Sequence, residues 1–244
     1  MRRWQIHHKD LTRSTNLDAR GARPWDVFTA SFQTAGRGRL DHKWVSSPNT
    51  NLAMSAVLPA GDISLEHLAT LPLVVGLAVA NALSLATGGL CRIKWPNDIL
   101  VNGRKVAGIL CEKDSDNVIA GIGVNVRERV FPEEFSSRAT SLALLGCDES
   151  FLVIERIRDL ILSSLSHIFD EWKEGGFGAI YERVSLLDAL KGTYLTIVQT
   201  DDDASPSRGI CGGILPDGSL DVGGNAFFAG EAHIERFDSP LTKN

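Results

Sequence analysis

The chain has 244 residues, of which 43% are hydrophobic and 23% are charged, and its net charge is −5. This length and composition are typical of one large globular domain, or of one domain with a small appendage, and they exclude a mainly disordered chain. The acidic balance excludes a general attraction for nucleic acid or for anionic membranes. Any bound phosphate must therefore be held by a local cluster of basic residues.

The cellular compartment is predicted from three features that the sequence lacks. Residues 1–15 carry basic side chains but no apolar stretch, so they do not form a signal peptide. The longest apolar run, Leu71 to Leu83, is interrupted and is too short to span a bilayer. The four cysteines show no metal-binding spacing, which favours free thiols. We expect a cytoplasmic protein without a membrane segment.

The first third of the chain predicts two strands and a buried helix. Val27–Phe32 reads as a short strand, and Asn51–Leu58 alternates apolar with small or polar residues, as a half-buried strand does. A helix within Ser64–Thr87 is predicted in two pieces, with Thr70 as the cap of the second piece. Gly88 and the glycine after it should end this helix.

The middle of the chain predicts a run of strands followed by an amphipathic helix. The strands are Arg92–Lys94, Ile99–Val101, Lys105–Glu112 and Val118–Val126. Asn102-Gly103 is a strong hairpin signal between the second and the third. Apolar residues at helical spacing predict a helix over Phe151–Trp172, and a shorter helical stretch is expected at Phe177–Ala189.

The composition changes near residue 189, where short strands and turn residues take over. We therefore expect two domains, a larger one over residues 1–188 and a small β domain over residues 189–244. Asp217-Gly218 is predicted as a hairpin turn in the second domain. The run Asp201–Asp203 is interpreted as a solvated loop rather than a metal site.

The loop after the first predicted strand is rich in glycine and arginine. Gly36 and Gly38 permit unusual backbone angles, and Arg37 and Arg39 present forks of donors that suit phosphate and carboxylate. Trp44 could stack on a flat ring or close the loop over a ligand. The segment fits neither a Walker loop nor a dinucleotide fingerprint, and a pattern this short is by itself more often a solvated loop.

A second informative segment reads Lys94-Trp95-Pro96-Asn97-Asp98 and continues as Arg104-Lys105-Val106-Ala107-Gly108-Ile109-Leu110. A lysine in a strand that forms one wall of a site is well placed to neutralise charge on a transferring phosphoryl group. Taken alone, Lys105 would be interpreted as a surface lysine and the Asn97-Asp98 pair as a tight turn.

Together these segments resemble the biotin protein ligases, in the form without an N-terminal DNA-binding domain. Four segments occur in the order and spacing of that family: Ser14-Thr15-Asn16, QTAGRGR, KWPNDILVNGRKVAGIL and GIGVNV. The resemblance covers roughly residues 10 to 190. It implies an α+β catalytic domain related to class II aminoacyl-tRNA synthetases, followed by a small SH3-like barrel.

The resemblance also implies a two-step reaction. Biotin and ATP give biotinyl-5′-AMP and pyrophosphate, with Mg²⁺ as the expected metal. Biotin then passes to a lysine of a biotin carboxyl carrier protein or domain, such as that of acetyl-CoA carboxylase, and AMP leaves. Since many relatives dimerise, the resemblance allows a homodimer. The few residues before Ser14 argue against direct DNA binding.

Site residues are carried over from the family by position. Those that resemble biotin-binding residues are Ser14, Thr15, Asn16, Gln33, Gly36, Arg37, Gly38, Arg39, Lys105 and Gly108. Those that resemble nucleotide-binding residues are Arg37, Arg39, Trp44, Asn97, Asp98 and Asn125. The resemblance makes Lys105, Arg37 and Arg39 the catalytic residues and Asp98 a candidate Mg²⁺ ligand.

One departure lies in the arginine loop. The usual pattern is G-R-G-R-x-G-R-x-W, whereas Asp41 and His42 stand here in place of the third glycine and the third arginine. A negative charge and a partly charged imidazole near phosphates should weaken retention of the adenylate without changing the class of reaction. Lys43 is expected to supply part of the lost charge.

Two alternative functions remain open at this stage. A lipoate or octanoate ligase or transferase would share the fold and the chemistry, although the KWPND segment and the paired arginines favour biotin. A non-catalytic biotin-binding regulatory module is the second alternative. A pure binder needs no phosphate clamp, so Arg37, Arg39 and Lys105 argue against it.

Overall fold

The computed structural model describes residues 3–40, 42–61, 63–199 and 206–234. Asp41 and the run Asp201–Asp203, for which we made predictions above, lie outside the described residues. The described chain folds into two sheets, one of seven strands and one of five.

The larger sheet contains the first seven strands and is mixed. Its strands are β1 Gln5–Thr12, β2 Asp26–Gln33, β3 Asn51–Pro59, β4 Cys91–Lys94, β5 Asp98–Val101, β6 Arg104–Asp114 and β7 Asn117–Asn125. Their order across the sheet is β1-β2-β3-β7-β6-β5-β4. β1 runs parallel to β2, and the other neighbours are antiparallel. The three longest strands, β3, β7 and β6, therefore lie side by side in the middle.

The helices and the second sheet complete the architecture, which is α+β. The helices are α1 Thr15–Asp18, α2 Leu65–Leu68, α3 Leu71–Thr87, α4 Glu133–Ser136, α5 Ile154–Gly175 and α6 Tyr181–Leu186. The second sheet comprises β8 Tyr194–Val198, β9 Ser207–Ile214, β10 Leu220–Val222, β11 Asn225–Phe227 and β12 Glu231–Ile234. Its order is β11-β10-β9-β8-β12, and all neighbours are antiparallel.

The core lies between the larger sheet and the helix pair α3 and α5. Helix α3 is apolar nearly all round and is buried along most of its length, because it is covered by the sheet on one side and by α5 on the other. Trp172 of α5 is fully buried, and its indole N–H donates to the hydroxyl of Thr70 over 2.9 Å. Residues 65–87 are long and apolar enough to cross a membrane by length and composition, but 67% of an apolar 18-residue window within them is buried inside the fold. It is a core helix here.

Several predicted elements are confirmed with small shifts. The helix within residues 64–87 has two pieces, and Gly88 ends the second in a left-handed conformation (φ 61°). Thr70 does occupy the N-cap position, but its hydroxyl donates to the carbonyl of His67 instead of capping the helix. Asn102 and Gly103 both have positive φ, as the hairpin signal requires.

Other expectations differ from the structure. The strand predicted to be half buried, β3, is buried at eight consecutive residues, because it lies between β2 and β7 with α5 on one face and α1 on the other. Helix α5 begins at Ile154 rather than at Phe151, since Asp148 caps a separate 3₁₀ turn over Glu149–Phe151. The stretch after α5 is broken into a second 3₁₀ turn, Phe177–Ala179, and α6.

Candidate active site

A chain of buried polar side chains lies where α1 meets the centre of the sheet. The backbone N–H and the hydroxyl of Thr15 both donate to Oε1 of Gln33, over 2.8 and 3.2 Å. The hydroxyl of Ser55 on β3 lies 2.7 Å from that of Thr15 and 2.6 Å from Oδ1 of Asn16. Ser14, 2% exposed, precedes them as the N-cap residue of α1. The four sequence-predicted residues of this group are thus brought together, with Ser55 at their centre.

The side chain of Asn16 reaches across the sheet to β6. Its amide nitrogen donates to Oε2 of Glu112 over 2.6 Å and lies 3.4 Å from the carbonyl of Leu110. Asn16 also lies directly over Gly121 of β7, where a Cβ would come within 2.2 Å of its Oδ1. Glycine at this strand position is therefore required by the close approach of the amide.

The arginine loop lies against this polar chain. Arg37 forms an ion pair with the same Oε2 of Glu112 that accepts from Asn16. The backbone of Gly38 donates to the carbonyl of His42 over 2.6 Å, and that of Trp44 donates to the carbonyl of Gly36 over 3.0 Å. A Cβ on Gly36 would lie 2.6 Å from the carbonyl oxygen of Trp44, so the closed loop requires a residue without a side chain there.

Trp44 occupies a shallow cradle that two paired glycines form on β6 and β7. Gly108 and Gly123 are direct partners across the sheet. A Cβ on Gly123 would lie 2.5 Å from the indole, and one on Gly108 would lie 3.2 Å from it. The indole N–H is buried and has no hydrogen-bond partner among the described residues. A buried donor without a partner is costly, which suggests that an acceptor belongs beside it.

Lys105 stands at the edge of the same cradle. Its Nζ lies 5.8 Å from the centroid of the Trp44 ring and 2.6 Å from Oδ1 of Asp98. The contact with Asp98 is an ion pair without the alignment of a good hydrogen bond. The positive end of Lys105 is therefore held over the strand glycine Gly108, where an anionic group could meet it.

The second sheet approaches the loop from the other side. Arg39 donates to the carbonyl of Gly230 over 3.3 Å, and Nδ1 of His42 lies 3.4 Å from Oε1 of Glu231. Burial lowers the pKa of Arg39, and the carboxylates of Glu231 and Asp98 act in the opposite direction. The C-terminal sheet thus contributes a carbonyl and a carboxylate to the surroundings of the arginine loop.

A second lysine, Lys94 at the end of β4, lies in the same electrostatic environment. Burial lowers the pKa of Lys94, and Lys105 acts in the same direction, while Asp98 and Glu231 oppose the shift. Lys94 and Lys105 therefore share a positive environment, which Asp98 and Glu231 partly offset. Such an environment favours an anion.

The two asparagines predicted to contact the nucleotide use their amides within the fold. Asn97 donates to the carbonyl of Ile109 over 2.8 Å and so ties the turn before β5 to β6. Asn125, 4% exposed, donates to the carbonyl of Thr140 over 3.0 Å. Asn125 lies two residues after Gly123, and Asn97 precedes Asp98, the cross-strand partner of Gly108. The amide nitrogens of both asparagines already have partners.

The described ranges contain no group of three or more His, Cys, Asp or Glu side chains that could hold a metal ion. The predicted Mg²⁺ ligand, Asp98, is paired with Lys105. Residues that our prediction missed are Ser55, Glu112, Lys94 and Glu231. A serine in the apolar run of β3 was the one visible signal, because an isolated polar residue in a buried strand needs a partner.

Comparisons with known proteins find similar sequences and similar structures. The model of the Biotin/lipoate A/B protein ligase family matches residues 10–127. A biotin protein ligase from Aquifex aeolicus, solved in complex with biotin and ATP, superimposes with a TM-score of 0.83 at 28% identity, over 95% of this chain and 99% of that one. The chain is thus similar to the biotin/lipoate A/B protein ligase family over residues 10–127 and to a solved biotin protein ligase over almost its whole length.

Curated members of this family share part of their length with the chain. A bifunctional ligase/repressor BirA from Bacillus spizizenii is 42% identical over 124 residues, which is 48% of this chain and 38% of the relative. A biotin–[acetyl-CoA-carboxylase] ligase from Mycobacterium tuberculosis is 40% identical over 147 residues, 55% of this chain and 53% of the relative. The matches thus span about half or less of these relatives' own length.

Proposed function

We propose that the protein is a biotin–[acetyl-CoA-carboxylase] ligase. In the first step an oxygen of biotin's carboxylate attacks the α-phosphorus of ATP, and pyrophosphate leaves with the electrons of the broken P–O bond. In the second step the amine of a carrier lysine attacks the acyl carbon of biotinyl-5′-AMP, AMP leaves, and the amine loses a proton. The product is a biotinylated carboxyl carrier domain.

The observation that carries this proposal is the positive cluster at the glycine cradle. Biotin's carboxylate and the α-phosphate are both anionic and repel each other. Lys105, Arg37 and Arg39 come from a strand and a loop that meet at this point, so they can hold the two anions in contact. The same charges stabilise the additional negative charge that develops on the phosphate oxygens during the transfer.

The buried polar chain supports biotin as the acid that is activated. Biotin's ureido ring is neutral and presents both N–H donors and a carbonyl acceptor. Short polar side chains set in an apolar wall suit such a group, and Thr15, Asn16 and Ser55 provide them at the floor of the site. These side chains would then form hydrogen bonds with the ureido ring of biotin, while the arginine loop binds its carboxylate.

Magnesium is expected to enter with ATP, bound mainly by phosphate oxygens and water. Mg²⁺ in nucleotide sites commonly takes one or two protein carboxylates, and Asp98, which pairs with Lys105, is the candidate ligand. When bound, the ion would neutralise charge on the leaving pyrophosphate. No step proposed here depends on a protein-only metal site.

The remaining assignments belong to the same proposal. We assign residues 1–188 to a catalytic domain related to class II aminoacyl-tRNA synthetases and residues 189–244 to an SH3-like barrel. The enzyme is expected to act in the cytoplasm on a biotin carboxyl carrier domain. It should bind neither membranes nor, given its net charge of −5, nucleic acid directly. A homodimer is compatible with this function.

Exchange of labelled pyrophosphate into ATP tests the proposed function. We expect exchange that depends on biotin and that lipoate or octanoate does not support at the same concentration. Exchange driven by lipoate or octanoate would assign the chain to the other branch of the biotin/lipoate A/B protein ligase family. Binding of biotin without any exchange would instead indicate a non-catalytic module.

A further inference from the structure

Among the residues that the structure describes, Glu112 is the one carboxylate that contacts both Asn16 of the polar chain and Arg37 of the arginine loop. Its Oε2 accepts a hydrogen bond from Asn16 over 2.6 Å and pairs with the guanidinium of Arg37. Its Oε1 lies 3.8 Å from Arg20, which is a weaker contact. We propose that Glu112 is a positioning residue that sets the pocket and the arginine loop together, an inference that rests on the proposed function.

The contact with Asn16 fixes which way that amide points. The amide nitrogen faces Glu112 and the carbonyl of Leu110, while Oδ1 accepts from Ser55. Asn16 is 5% exposed, so water cannot replace a lost partner without opening the site. The carboxylate therefore determines that the oxygen of the Asn16 amide faces Ser55 and that its nitrogen faces β6.

The contact with Arg37 holds the loop near the sheet before any ligand binds. The side chain of Arg37 is 37% exposed and that of Glu112 is 24% exposed, so the pair is partly shielded from water. A guanidinium carries five N–H donors, and pairing through one nitrogen leaves others for a substrate oxygen. Glu112 would thus pre-orient Arg37 without consuming its capacity to bind an anion.

Because a single oxygen serves both partners, the position of the loop and the orientation of the pocket amide depend on each other. A movement of Glu112 toward the arginine loop lengthens its hydrogen bond to Asn16, and a movement toward Asn16 lengthens its contact with Arg37. Biotin contacts that fix Asn16 should therefore also stabilise the docked position of Arg37. This coupling distinguishes Glu112 from a carboxylate that only supports the fold.

Limited trypsin digestion of the ligand-free protein, together with the rate of biotinyl-AMP formation, tests this role. Glu112→Gln keeps the shape and an acceptor for Asn16 but removes the charge that holds Arg37. We expect cleavage after Arg39 to become about fivefold faster and adenylate formation about fivefold slower, as for the loss of one partly exposed ion pair. Glu112→Ala also removes the acceptor for the buried amide of Asn16, so adenylate formation should fall about thirtyfold.

Three comparisons separate positioning from general stability. Asp116→Asn, at an exposed position in the turn between β6 and β7, should leave both rates and the melting temperature unchanged. Arg37→Ala should give the same faster cleavage after Arg39, so the link can be tested even if a Glu112 variant folds poorly. In the Arg37→Ala background, Glu112→Gln should no longer change the cleavage rate.

Wild-type cleavage and wild-type adenylate formation in Glu112→Gln would overturn the proposal. An equal effect of Glu112→Gln on the cleavage rate in the wild-type and in the Arg37→Ala background would also overturn it. If the wild-type protein formed no biotinyl-AMP, the proposed function would fail. The digestion of the ligand-free protein would still decide whether Glu112 holds the arginine loop.

Discussion

The indole of Trp44 lies so close to Gly123 that a Cβ at this glycine would come within 2.5 Å of the ring. The contact joins the end of the arginine loop to the central strand β7, directly opposite Gly108 on β6. The loop and the sheet therefore meet over a surface that only backbone atoms can form. This surface is where we place the anionic tail of biotin and the phosphate.

Gly123→Ala should displace the indole from the cradle. The added methyl group overlaps an aromatic ring that belongs to a loop, so the ring should move rather than the strand. We expect greater quenching of tryptophan fluorescence by acrylamide and weaker ATP binding. The gain in quenching should disappear in a Trp44→Phe background. Gly178→Ala, where a Cβ meets nothing within 4 Å, is the matched control.

Glu128 should be required for stability rather than for catalysis. This carboxylate, 6% exposed, accepts hydrogen bonds from the backbone and hydroxyl of Ser47, the hydroxyl of Thr50 and the amide of Asn51. Glu128→Gln replaces one carboxylate oxygen by an NH₂ group, which faces these N–H and O–H donors and cannot accept from them. We expect a loss of about 2 kcal/mol in the free energy of unfolding. Urea denaturation measures it. A loss no larger than that of the exposed Glu133→Gln would contradict this role.

His42→Arg should slow dissociation of the adenylate. His42 stands where the usual loop pattern has an arginine, and it lies 3.4 Å from Glu231 of the second sheet. An arginine is always charged and adds donors, so we expect dissociation about fivefold slower in a stopped-flow chase experiment. In a Glu231→Gln background the gain should be smaller. Unchanged dissociation in His42→Arg would show that this position does not control release.

The cysteines should be poor nucleophiles in the folded protein. Burial raises the pKa of Cys111 to about 12 and that of Cys211 to about 11. Since the thiolate is the reactive form and predominates only above the pKa, both thiols should resist iodoacetamide at pH 8. Mass spectrometry should show rapid alkylation of both after denaturation in urea. Rapid modification of either in the native protein would contradict this prediction.

Elements with strong local signals could be predicted from the sequence. The break before α3 follows from Thr70 and Pro72, and the β5–β6 hairpin follows from Asn102 and Gly103, whose positive φ values few other residue pairs adopt. These signals act within a few residues of the chain. They do not depend on what packs above or below them.

Strand β1 gives no such signal. Its sequence, QIHHKDLT, is polar at the edge of the sheet, and six of its eight residues are exposed. Its pairing with β2 depends on a neighbour about twenty residues away in sequence. A polar edge strand lacks the apolar alternation on which such a prediction relies.

The site was predictable only as far as the family resemblance reaches. The resemblance drew attention to Arg37, Arg39 and Lys105, but it did not indicate Glu112 or Ser55. The contacts of both arise from the register of β3, β7 and β6. The amides of Asn97, in the turn before β5, and of Asn125, at the end of β7, donate to backbone carbonyls of residues 12 and 15 positions further along the chain, which no local pattern could reveal.

Whether the positive cluster at the glycine cradle joins biotin to the nucleotide is tested most directly with Lys105→Ala. The variant is incubated with biotin, ATP and Mg²⁺, and biotinyl-AMP is quantified by mass spectrometry. Lys113→Ala, an exposed lysine on the same strand, serves as the control. We expect Lys105→Ala to form at least about a hundredfold less biotinyl-AMP than wild type or control, while it still binds some biotin. Adenylate formation at the wild-type rate would contradict the role of the cluster.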